Sequence, residues 1–133
     1  MKSGHCLCGA VSWQYSGKET WACFCHCRDC TRGNASPVVA FIGVELANFQ
    51  WTGAKVAAVY QSSPGVERHF CGTCGTPMAF RADHYAGEIH LYASTLENPA
   101  QDFSPAFHVH CGSQVPWLET SDELPRHEGF LPD

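Results

Sequence analysis

The chain has 133 residues, 44% hydrophobic and only 16% charged, with eight Lys and Arg against thirteen Asp and Glu. That length and composition fit a single globular domain over residues 1–133 and exclude a disordered chain. The formal net charge of −5 and the lack of a basic cluster exclude binding through a phosphate backbone, so no nucleic-acid partner is expected.

In chain order, the opening segment MKSGHCLCGAVSW has no apolar stretch of signal-peptide length. No later stretch approaches the roughly 18 apolar residues of a membrane span, so no membrane association and a cytoplasmic location are expected. Cys6 and Cys8 form a C-x-C knuckle ending in Gly9. Residues 10–16, AVSWQYS, alternate as a strand with Trp13 and Tyr15 on one face. The run CFCHCRDC carries Cys25, Cys27 and Cys30 as C-x-C-x-x-C, with Cys23 just ahead and a short helical turn expected over 28–32. Strands follow over 38–44 and, after a second helical turn near 45–48, over 56–61, 66–71, 77–82 and 88–94, all β-branched or aromatic runs bounded by turn residues. Between the third and fourth of these, Cys71 and Cys74 form C-x-x-C in CGTCG, where Gly72 and Gly75 supply the unusual φ values of a tight turn. After Pro99 the prolines at 105, 116, 125 and 132 make the chain loop-like, and this last third is expected to wrap over the sheets. The expectation is an all-β domain with zinc knuckles in its loops and few short helical turns.

Seven of the nine cysteines therefore fall into three tight clusters. An odd total suits a disulfide framework poorly, whereas side chains at i and i+2 of an extended segment point the same way and can share one ion. Cytosolic cysteines in such patterns bind metal or do chemistry. Zinc is the expected cofactor, two ions per chain. Cys6, Cys8, Cys71 and Cys74 make one closed four-sulfur site, which is structural. Cys25, Cys27 and Cys30 are one ligand short. Either the fourth position stays open and takes a small thiol, made nucleophilic by deprotonation, or Cys23 or His108 (or His110) closes it. Three anionic sulfurs make the metal a weak Lewis acid, which disfavours hydrolysis by bound water. An open thiolate site is also easily oxidised, so it can be found empty.

The motifs Gly4, Cys6, Cys8-Gly9-Ala10-Val11, then Cys25-His26-Cys27-Arg28-Asp29-Cys30, then Phe70 to Pro77 resemble the glutathione-dependent formaldehyde-activating enzyme family, which also includes centromere protein V. The resemblance runs from about residue 4 to 125 and takes in Leu96-Glu97-Asn98-Pro99 and Pro116-Trp117. It implies folded-over β-sheets of the Mss4-like type, a structural zinc on Cys6, Cys8, Cys71 and Cys74, and an active-site zinc on Cys25, Cys27 and Cys30. It also implies a carbon–sulfur lyase-type reaction, the addition of glutathione to formaldehyde. The chain is short beside the formaldehyde-activating members, and Arg28, Arg32, Arg68 and Arg81 are its candidate clamps for glutathione carboxylates. Two other readings remain. One is a non-catalytic zinc-stapled binding module, and the other is a redox enzyme with Cys111 as nucleophile and Cys23 or a triplet cysteine as its partner. Cys111 is otherwise a buried free thiol, and Phe24, Phe41, Trp51 and Trp117 are core. His5, His69, His84, His90 and His127 receive no role.

Overall fold

The computed structural model describes residues 1–130; Pro132 lies outside them. Strands β1 (Lys2–His5), β2 (Ser12–Tyr15) and β5 (Phe49–Trp51) form an antiparallel three-stranded sheet in the order β1-β2-β5. The larger sheet has seven strands: β3 (Trp21–Cys25), β4 (Val39–Glu45), β6 (Ala58–Ser63), β7 (Val66–Phe70), β8 (Pro77–Ala82), β9 (Glu88–Tyr92) and β10 (Phe107–Val109). Their order is β10-β3-β4-β9-β8-β7-β6, and only the β10–β3 pair is parallel. Helix α1 (Arg28–Asn34) follows β3, and the single turn α2 (Pro99–Asp102) precedes β10. The fold is mostly β with few short helical turns, as the sequence implies.

Alternation along the central strands makes both faces of the large sheet apolar, with different consequences. Ile42 and Val44 on β4 and Ile89 and Leu91 on β9 face a core shared with Trp13 and Tyr15 of the small sheet and with Val11 just ahead of β2. Trp13, Tyr15, Ile42 and Leu91 are at most 1% exposed, and each such side chain contributes about 1.5–3 kcal/mol by leaving water. The opposite parity builds a second cluster from Cys23, Cys25, Val39, Phe41 and Tyr92. Strand register lines up Trp21, Gly43, His90, Phe80 and Arg68 as one row across five strands. Gly43 is essential to that row. A Cβ there would sit 2.4 Å from the Trp21 ring, so only glycine lets the indole lie across β4.

Four expectations need correction. The segment after Pro99 is not all loop, because Phe107–Val109 pairs with β3 as the edge strand β10. The chain beyond it also stays on that edge, where His108 donates its amide to Pro125 at 2.8 Å. Three alternating residues are too short a run to signal a strand; β3 makes them one by offering its free edge. Positive φ belongs to Gly9 and Gly75, both at 82°, and not to Gly72. Trp117 is 72% exposed and outside the core, and Cys111 is only half-buried.

Candidate functional site

Two cysteine groups occupy different places in this frame. The first lies where the β1–β2 turn meets the β7–β8 turn. The sulfurs of Cys6, Cys8, Cys71 and Cys74 all lie within 4.8 Å of one another, the one group of metal-binding side chains that converges so closely among the described residues. Cys6 Sγ to Cys8 Sγ is 3.6 Å and Cys8 Sγ to Cys71 Sγ is 3.8 Å. A tetrahedral zinc with bonds of about 2.3 Å separates its sulfurs by roughly 3.8 Å, so the cluster fits that ion. The two turns are built alike. Cys6 N–H donates to Val11 O and Cys71 N–H to Thr76 O, both at 2.9 Å, and the left-handed Gly9 and Gly75 reverse each chain. Amides point at the sulfurs: Val11 N–H at Cys6 (3.3 Å), and Thr73 and Cys74 N–H at Cys71 (3.4 and 3.5 Å). The Thr76 hydroxyl and amide hold the Cys74 thiol down to about 5, and amide donation also lowers Cys71. Such donors favour thiolate, the form a metal takes.

The second group sits on the opposite face of the large sheet, in a pocket of about 180 Å³. Cys23 and Cys25 reach it from β3, Cys27 and Cys30 from the start of α1. Its walls are mainly aromatic, with Trp21, Phe41, Phe80, Tyr85 and Phe130, and His90, His110 and Arg68 also line it. The Cys30 thiol, then burial, pushes the Cys27 thiol up, against the opposing pull of the Cys30 and Asp29 amides, the same backbone positions that act on Cys71 in the other C-x-x-C turn. Cys30 also faces the thiols of both Cys25 and Cys27, and the Cys25 contact first, then burial, pushes it up to about 11. The donor set is right for zinc, although its three sulfurs are less tightly gathered than the four of the first group. Burial pushes the Cys23 thiol up to about 12.

Arg68 joins this pocket to its surroundings. Its Nη1 lies 3.8 Å from Cys30 Sγ and 3.4 Å from Tyr92 Oη, Nε donates to Ser62 Oγ at 3.1 Å, and the guanidinium lies 5.1 Å over the Phe80 ring. Among the described residues no carboxylate pairs with it, although Asp29 lines the same pocket, and the Cys30 sulfur is the group beside it that can become an anion. Arg28 instead donates to Thr31, and Arg32 and Arg81 do not line the cavity. His108 turns away from the pocket. It is fully buried, holds Asp122 at 3.0 Å through Nε2 and His26 at 2.8 Å through Nδ1, and so is not placed to close the triplet. His110 does line the cavity, held at φ 55° with its amide on Gly129 O. Cys111 is not among the lining residues. Sequence reading passed over His90 and Tyr85. The signal was present in Glu88, His90 and Tyr92, polar groups at every second position of an otherwise apolar strand.

Comparison with known proteins came to the same place as the cysteine motifs. The family described as glutathione-dependent formaldehyde-activating enzyme matches residues 1–113. A Schizosaccharomyces pombe protein named only as an uncharacterized lyase is 32% identical over 77 residues, 58% of this chain and 55% of that protein. The chain thus matches about half the length of that relative. A crystal structure of a Rhodobacter sphaeroides protein superposes with a TM-score of 0.60 at 22% identity, over 71% of this chain and 87% of the other, a likeness of fold alone.

Proposed function

The chain belongs to the glutathione-dependent formaldehyde-activating enzyme family, and on that premise we propose that it is a zinc-dependent carbon–sulfur lyase-type enzyme that adds a small thiol, glutathione foremost, to an aldehyde such as formaldehyde. The observation that carries this reading is the separation of the two cysteine groups. One is gathered into a four-sulfur cluster between the sheets, and the other lines an aromatic pocket with Cys25, Cys27, Cys30 and an arginine that no carboxylate pairs with among the described residues.

Cys6, Cys8, Cys71 and Cys74 would hold a structural zinc, and Cys25, Cys27 and Cys30 a second one. A zinc held by three thiolates supplies one position at which a thiol is carried as thiolate. The chain itself does the rest. Arg68 sets a positive charge beside Cys30 and offsets the negative charge of a sulfur-rich centre. The aromatic walls keep water from the electrophile. A cavity of about 180 Å³ is below the usual range for a whole ligand, so it receives the sulfur end of the thiol and a small aldehyde while the rest of the thiol lies outside. Reduced cysteines in this number suit a cytoplasmic setting, and residues 1–133 are read as one domain with no nucleic-acid partner.

Cys23 supports a second reading, since it lines the same cavity and would complete a closed four-sulfur shell in a non-catalytic module.

Zinc stoichiometry together with X-ray absorption at the zinc edge, with and without glutathione, separates the two. The expected result is two ions per chain, with a light ligand replaced by sulfur when glutathione is added. Two ions in an unchanging all-protein shell would establish the module instead.

A further inference from the structure

The cysteine pocket contains a second chemical device on β9. Glu88 and His90 share one face of that strand, two residues apart. The His90 ring lines the pocket, 5% exposed, and Trp21, Tyr85 and Phe80 enclose it at centroid distances of 4.5, 5.0 and 5.4 Å. Its Nε2 lies 2.9 Å from Glu88 Oε1, which also accepts from Trp21 Nε1 at 3.3 Å. An ionised carboxylate only accepts, so Nε2 carries the proton and Nδ1 is a bare acceptor. Among the described residues Nδ1 has no hydrogen-bond partner. Burial holds the imidazole below its usual value, so the ring is neutral and Nδ1 unprotonated near pH 7.

The geometry points to His90 as the residue that carries the proton between thiol and carbonyl oxygen, with Glu88 as its positioning residue. This rests on the thiol-addition reading above. In that reaction one C–S bond forms, the π bond of the aldehyde opens to an oxyanion, and the thiol proton must travel to that oxygen; nothing is oxidised or reduced. Nδ1 takes the proton as the thiol binds, Glu88 stabilises the resulting imidazolium, and Nδ1 returns the proton to the oxyanion.

The test uses the zinc-loaded full chain with glutathione and formaldehyde. Calorimetry of glutathione binding in two buffers of different ionisation enthalpy counts released protons. Wild-type protein is expected to release almost none, and His90→Gln about one per thiol bound, with turnover falling roughly 100-fold. Glu88→Gln keeps the shape of the dyad without its charge. It is expected to slow turnover about tenfold at unchanged thiol affinity, and it decides the matter alone if His90→Gln fails to fold. Variants with wild-type proton release and turnover would overturn the role of His90 while leaving thiol addition standing. Wild-type protein that binds no thiol would overturn both.

Discussion

Two C-x-x-C turns in this molecule share a local design and differ in what surrounds them. In Cys71–Cys74 and in Cys27–Cys30, the amides two and three residues on from the first cysteine act to lower its thiol. The first turn meets a second knuckle, Cys6 and Cys8, across the gap between sheets, and four sulfurs close on one point. The second runs into α1 and faces β3 and an aromatic cavity. Neighbours set the titration of each sulfur: in the closed cluster Thr76 holds Cys74 down to about 5 while burial and the other thiols push Cys8 up to about 11, and in the pocket Cys25 helps push Cys30 up to about 11. Backbone donors alone therefore do not decide what such a turn does. Its other partners do.

The largest effect expected from breaking this contrast is at the closed cluster. Cys71→Ser removes one of four ligands from a site of the kind that contributes on the order of 10 kcal/mol in zinc peptides, comparable with the whole stability of a domain. It should abolish cooperative thermal unfolding followed by circular dichroism and lower the zinc content. Cys27→Ser sharpens the comparison. It should lose one zinc ion and all glutathione binding while the unfolding temperature moves by about 2–4 °C. A Cys27→Ser chain that no longer folds would show that both groups are structural.

Arg68→Met tests the pocket without touching a sulfur. Two zinc ions should remain, and calorimetric affinity for glutathione should fall about tenfold, roughly 1.4 kcal/mol. Arg68→Lys should not restore it, because a point charge cannot span Cys30, Tyr92 and Ser62 together.

The smallest effect concerns His26, between Cys25 and Cys27 but turned to the other side, against His108. Burial, then the neighbouring His108, holds it down to about 4 from an ordinary 6.5. The unfolded chain therefore takes the proton first. The contribution of neutral His26 is complete above pH 6.5 and is lost as pH falls toward 4. Urea midpoints measured from pH 7 to 4.5 should fall further for wild type than for His26→Gln.

Much of the fold was legible. The runs over 38–44, 66–71, 77–82 and 88–94 signalled strands because β-branched and aromatic residues fill pleated, buried positions. The turn over 28–32 also stands, as the start of α1. What escaped was set by distant partners. Phe107–Val109 becomes a strand only beside β3, and His108, a candidate ligand by composition, is spent on His26 and Asp122. His90 drew no attention because one histidine in a strand means nothing until Glu88, Trp21 and the cysteine pocket are placed around it.

The sequence by itself determined the sulfur inventory, the knuckle spacings and the two-sided apolar pattern of the central strands. These are local properties, governed by i to i+2 geometry and by glycine at positive φ. Only the tertiary structure decided which sulfurs meet, which face of the sheet carries the pocket, and which imidazole and guanidinium stand beside the cysteines. Those outcomes depend on strand register, and shifting a strand by one residue would send each of these side chains to the opposite face.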